Sequence, residues 1–265
     1  MRKPLIAGNW KMNMTIADGT ALVNSLKEAL QGIDGAECAV CVPAVLLKPI
    51  SDVVCCSNIA LGGQDLFWEE KGAFTGQISG PMLNDVKAKY VIIGHSERRG
   101  RFGSIPANWD AELLKAFGDN DTVVNVKVKA AFKYNLVPIM CCGETKDERE
   151  QGITDQVVEK QIRAGLAGLT PEQISSMVIA YEPVWAIGTG LTCDPQEGNR
   201  VIKGIRGTVR DMFGAAAENI RIQYGGSATP DNIAEIMSQS DIDGALVGGA
   251  ALKPSFAEMI KTAAK

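Results

Sequence analysis

Eight short segments made almost wholly of apolar residues recur along the chain, and most end in Gly, Asn, Pro or a charged residue. They are PLIAGNW from Pro4, ECAVCVP from Glu37, NIALGGQ from Asn58, KYVIIGH from Lys89, LVPIMCCGE from Leu136, MVIAYEP from Met177, IRIQYGG from Ile220 and DGALVGG from Asp243. A strand covered on both faces shows no polar alternation, so such runs predict buried parallel strands. Helical spacing fills the intervals. TIADGTALVNSLKEAL sets Ala21, Leu22, Leu26 and Leu30 near one face, and DPQEGNRVIKGIRGTVRDMF does the same with Val201, Ile202, Ile205 and Val209. Asp194-Pro195, Thr229-Pro230, Pro171 and Pro254 stand where helices start.

Eight strands alternating with helices predict an α/β fold, a single (β/α)8 barrel over residues 1–265. A doubly wound open sheet is the rival. It normally carries a glycine-rich nucleotide fingerprint after its first strand, whereas this chain reads GNWKMN there. No linker or low-complexity segment divides the sequence, and 265 residues suit one large barrel.

Composition removes several function classes. The net charge is −4 with no long basic run, which argues against nucleic acid. No stretch approaches the roughly 18–20 apolar residues of a membrane span, and the apolar part of MRKPLIAGNWKMN is too short for a signal peptide. A soluble, cytoplasmic protein is expected. The seven cysteines include one C-x-x-C, Cys38 to Cys41, inside an expected strand. Residues three apart on a strand face opposite ways, so buried free thiols are expected there rather than a zinc site. No feature points to a metal or an organic cofactor.

In a parallel barrel the chemistry lies at the C-terminal ends of the strands. Those ends carry Asn9 and Lys11, Gln64, the chain's one histidine His95, Glu144, Glu182, the run Gly225-Gly226-Ser227, and Gly248-Gly249. A cation, an imidazole and two carboxylates thus share one rim with glycine pairs after strands seven and eight. Glycine lets backbone N–H groups approach an anion, and this quarter of a barrel often binds phosphate. With a net negative chain, an anionic ligand needs local positive potential.

AGNWKMN, IIGHSERR, YEPVWAIGTG, YGGS and ALVGGA, together with GAFTGQIS and CCGET, resemble the signature segments of the triosephosphate isomerase family, in order and over essentially the whole chain. The resemblance implies interconversion of dihydroxyacetone phosphate and D-glyceraldehyde 3-phosphate through an enediolate, in glycolysis and gluconeogenesis. It implies Glu182 as base, made more basic by desolvation. His95 is implied as a neutral electrophile, kept uncharged by a short helix capped by Ser96. Lys11 is implied as the cation, with Asn9 beside it. Gly188, Ser227, Gly248 and Gly249 would hold the phosphate. Pro183 to Cys193 resembles a mobile lid, with Trp185 and Glu144 paired in one lid state and Tyr224 and Ser227 latching the closed one. Glu97 resembles a buried carboxylate near Lys11. A homodimer is implied through the loop 65–79, with Phe74, Thr75 and Arg98 at the interface. Two other readings remain open: a Schiff-base aldolase using Lys11, and a sugar-phosphate binder without catalysis.

Two departures from the family pattern stand out. The lid ends Leu-Thr-Cys (Leu191 to Cys193), where Lys-Thr-Ala is usual. After HSERR, Phe-Gly occurs twice, at Phe102 and Phe117, so extra material lies within 100–116. Its second half predicts a short helix with Trp109, Leu113, Ala116 and Phe117 near one face. Gln77 stands where Glu is common. Asp119 stands where Glu is expected, which leaves its pairing with Arg98 open.

Overall fold

The computed structural model describes residues 2–265. Eight parallel strands close into a barrel in sequence order: β1 (Leu5–Asn9), β2 (Glu37–Cys41), β3 (Ile59–Gly63), β4 (Tyr90–Ile93), β5 (Val137–Cys142), β6 (Val178–Tyr181), β7 (Arg221–Tyr224) and β8 (Gly244–Val247). Closure is made by β1 on β8, with Leu5 opposite Gly244 and Gly8 opposite Val247. A Cβ on Gly244 would lie 1.9 Å from Leu5 O, so this seam needs glycine. Each expected apolar run contains one strand.

The two-residue period of each strand sorts its side chains into two cores. Leu5, Ala7, Ala39, Cys41, Tyr90, Ile92, Ile139, Cys141, Val178, Ala180 and Leu246 fill the barrel. Their neighbours Ile6, Cys38, Val40, Val91, Ile93, Ile179 and Ile222 face outward beneath the helices. The C-x-x-C pair is therefore split. Cys38 faces the helices and Cys41 the interior, and burial pushes both thiols up to about 12.

The helices supply the outer layer. Thr15 caps Ile16–Ala29 by accepting Asp18 N–H at 3.2 Å. Leu22, Val23, Leu26 and Leu30 pack inward, while Ala21, expected on that face, is exposed. Asp194 caps Pro195–Phe213, which buries Val201, Ile202, Ile205 and Val209. Burying one such side chain stabilises the fold by about 1.5–3 kcal/mol. The helix expected to open at Thr229-Pro230 spans only Ile233–Met237, because Thr229 N–H donates to Asn232 Oδ1 and fixes a turn first.

The segment after β4 departs furthest from expectation. It holds one helical turn, Ala111–Leu114, capped by Asp110. Leu113 and Ala116 are exposed. The apolar face is replaced by three aromatic rings. Phe102 meets Trp109 edge-on at 5.6 Å and Phe117 at 5.1 Å, and Trp109 stacks on Phe117 at 5.5 Å.

At the N-terminal end of the barrel, Glu37 pairs with Lys89 and Arg221 and accepts Tyr90 OH at 3.0 Å. Burial raises its pKa, but these cations and their hydrogen bonds outweigh it and hold the carboxyl at about 2. The opposite rim is left for function.

Candidate active site

Lys11 follows β1 with φ of 50°, a left-handed conformation uncommon for a side chain with a Cβ. Its N–H donates to Asn9 Oδ1 at 3.0 Å, and its carbonyl accepts Gln64 Nε2 at 2.9 Å. Gln64 also donates to Cys41 O, which ties β2 to the same turn. Local strain persists where surroundings over-determine it, and such places cluster at functional sites. Lys11 Nζ pairs with Glu97 Oε1 at 2.5 Å.

Ser96 and Glu97 do not open a helix. The stretch after β4 is a run of turns in which Arg98 and Arg99 N–H both bond His95 O. Glu97 N–H donates to His95 Nδ1 at 3.2 Å. That nitrogen must therefore carry a lone pair, which places the ring proton of the neutral tautomer on Nε2. Glu97, expected to be buried, has a side chain 37% exposed.

Glu182 ends β6. Its N–H bonds Cys142 O at 2.7 Å, and Gly143 alone permits this approach, since a Cβ there would lie 1.7 Å from Glu182 O. The carboxylate is 2% exposed. Oε1 accepts His95 Nε2 at 2.8 Å and Oε2 accepts Ser96 N–H at 3.0 Å. Burial raises its pKa, but His95, the Ser96 N–H and Lys11 together bring it below the usual range. The desolvated, more basic carboxylate expected from the sequence is thus not the one seen. In this conformation its oxygens are already met by donors.

The lid follows directly. Trp185 Nε1 donates to Glu144 Oε1 at 2.8 Å, and Tyr181 OH donates to both carboxylate oxygens at 3.1 Å. Glu144 is fully buried, and burial holds its pKa above the usual value despite these donors. Arg149 lies 4.4 Å from the Trp185 ring centroid. Tyr224 OH donates to Cys193 O at 2.8 Å, and Ser227 Oγ to Ala186 O at 3.5 Å, so these hydroxyls touch the two hinges rather than the tip. Gly188 and Gly190 take φ of 70° and 79° at that tip, and Leu191 is half exposed beside it. Sequence reasoning misses Arg149, because nothing in its local sequence marks it.

A cavity of ≈ 490 Å³ joins these parts. Its walls include Asn9, Lys11, His95, Glu182, Gly188, Ser227, Gly248 and Gly249, together with Asn13 and Ile187, which the sequence did not single out. Among the described residues, the N–H groups of Gly188 and Ser227 meet no protein acceptor. A cation, a histidine N–H and a carboxylate therefore share one solvent-open pocket with glycine-rich backbone. That arrangement can hold a small anion and move a proton on it.

The loop 65–79 stands apart from this cavity. Phe67 stacks with Trp68 at 4.0 Å and meets Phe74 at 4.6 Å, while Phe74 and Thr75 are exposed. Arg98 pairs with Asp65 at 3.0 Å. Asp119 pairs with the buried Lys127 at 2.8 Å, and only its N–H reaches Arg98, through the carbonyl. The shorter acid is drawn to the nearer cation.

A family model described as Triosephosphate isomerase matches residues 4–263. Relatives named triosephosphate isomerase are similar over nearly their full lengths. The one from Carboxydothermus hydrogenoformans is 49% identical over 263 residues, covering 98% of this chain and 99% of its own. That from Moorella thermoacetica is 50% identical, covering 98% of each chain. That from Clostridium tetani is 50% identical over 96% of this chain and 93% of its own.

Proposed function

Because this chain belongs to the triosephosphate isomerase family and interconverts dihydroxyacetone phosphate and D-glyceraldehyde 3-phosphate, a step of glycolysis that gluconeogenesis runs in reverse, we propose that Lys11, His95 and Glu182 carry out the reaction. Glu182 removes the proton from the carbon next to the carbonyl and returns it to the neighbouring carbon. His95 donates from Nε2 to the developing enediolate oxygen and relays a proton between the two oxygens. A carboxylate base working with a neutral imidazole is the established chemistry of this family. The Lys11 ammonium, with Asn9, offsets the charge that grows on those oxygens. Ser96, Glu97, Glu144, Trp185 and Tyr224 set the positions of these groups and of the lid.

The observation that carries this reading is the single cavity lined by all three side chains and by the glycine-rich segments at 188, 227 and 248–249. Backbone N–H groups of Gly188, Ser227, Gly248 and Gly249 hold the phosphate. Lid closure draws Gly188 onto it and excludes water, which keeps the enediolate from expelling phosphate. Glu182 must first leave Ser96 and His95. As those donors are lost inside a closed pocket, its basicity rises. Lys11→Met tests the assignment. The folded variant is expected to lose nearly all turnover in a coupled assay, and near-normal turnover would overturn the role of Lys11.

The same reading extends to assembly and place. The chain acts as one domain over 1–265 and as a homodimer through the loop 65–79, with Phe74, Thr75 and Arg98 at the contact. A second cavity of ≈ 280 Å³, lined by Leu47, Gln64, Asp65, Gln77 and Arg98, offers the partner's loop a seat beside the turn that holds Lys11. Met12, Val45 and Met82 are exposed, and a partner would cover such surface. Residence in the cytoplasm fits the free thiols and the absence, among the described residues, of any helix long and apolar enough to cross a membrane.

A further inference from the structure

The excursion between β4 and the helix Asp121–Lys133 has no part in the chemistry above, yet its root lies against the lid. A Cβ built on Gly103 would stand 2.2 Å from Ile187 O, 2.6 Å from Val184 O and 3.0 Å from Thr189 Cγ2. Two of these distances are shorter than real side chains show, so only glycine fits while the lid holds this position. Arg101 anchors the same root. Its N–H bonds Ser96 O at 2.9 Å, its guanidinium pairs with Glu148, and Nη2 donates to Gly143 O at 3.1 Å. Gly143 adjoins Glu144, the acceptor for Trp185. Phe102, the chain neighbour of Gly103, is held edge-on against Trp109 and Phe117, which stack on each other.

We propose that Gly103 is a positioning residue, and that the segment Arg101–Phe117 forms a rest on which the lid sits in the position where Trp185 bonds Glu144. This proposal rests on the isomerase reading above. The rest touches the carbonyls on both sides of the first hinge and, through Arg101, braces the turn that presents Glu144. Its grip stabilises the resting lid alone. Weakening that grip shifts the lid population toward closure, which favours ligands that bind the closed form.

The test compares wild type, Gly103→Ala and Trp109→Ala. Readouts are kcat, KM, the inhibition constant of 2-phosphoglycolate, and the fraction of substrate lost as inorganic phosphate. The added methyl is expected to tighten inhibition on the order of three- to tenfold, and to lower KM and kcat together as the lid opens less readily. The fraction lost as phosphate is expected not to rise. Trp109→Ala softens the rest from behind and moves the inhibition constant the same way by less, so it carries the test if Gly103→Ala does not fold. A fall in kcat alone, with KM and inhibition unchanged in both variants, is the signature of fewer folded molecules and overturns the proposal. Absence of turnover in wild type would overturn the isomerase reading instead.

Discussion

His95 Nε2 and Glu182 Oε1 stand 2.8 Å apart, so the groups assigned as electrophile and base are bonded to each other. A substrate oxygen must take over the imidazole proton, and the carboxylate must then turn toward carbon. The pair is thus hydrogen-bonded together, with Ser96 N–H holding the second oxygen at 3.0 Å.

Glu182→Asp withdraws the carboxylate by one methylene. A misplacement near 1 Å can cost about 10²-fold in rate. We expect a fall in kcat of at least that order with little change in melting temperature, measured by coupled assay and thermal unfolding. Near-normal kcat would count against Glu182 as base.

His95→Gln removes the ring donor and keeps an amide near it. Loss of one preorganised donor typically costs about 10²–10³ in kcat. Nitrogen NMR of the wild type should also find the ring proton on Nε2, because Nδ1 accepts Glu97 N–H. A proton on Nδ1 would contradict that hydrogen bond.

How much of this was legible in the sequence differs from element to element. The eight strands were, because burial on both faces leaves runs such as YVII without polar breaks. The rim residues were, because strand ends place them there. The excursion was not. Its apolar residues at helical spacing look like a helix, yet Phe102, which lies outside the stretch with that spacing, meets both Trp109 and Phe117 edge-on and draws the two rings together. Nor could spacing reveal that Gly103 meets the lid, since that contact joins segments more than 80 residues apart in sequence.

Glu37 fixes an expected dependence on acid. Its folded carboxyl sits at about 2, below the ordinary glutamate value of about 4.3. A depressed value means stability present above the unfolded pKa and lost as pH falls through the folded one. Glu37→Gln should therefore lower stability at pH 7 by about 1–2 kcal/mol, a figure discounted because the network is partly exposed. The gap should close between about pH 4 and 2. Urea unfolding across that range checks it, and a gap that persists at pH 2 would refute the assignment. Glu182 is lowered too, so the acid limb of kcat/KM for the free enzyme should fall below about pH 4.3.

Thr75→Arg places a long cation at the tip of the loop proposed to enter a partner. Sedimentation should then show a monomer where wild type shows a dimer, with reduced turnover because the seat lies beside Lys11. A dimer of unchanged affinity would remove this loop from the interface.

Gly100 and Phe117 are close neighbours: a Cβ on the first would lie 3.4 Å from that of the second. The excursion consequently leaves and re-enters the rim through one doorway. Peptides of other length or origin could be spliced at that doorway with the barrel's register intact, which makes this corner of the molecule a natural place for lineages to diverge and for engineers to graft.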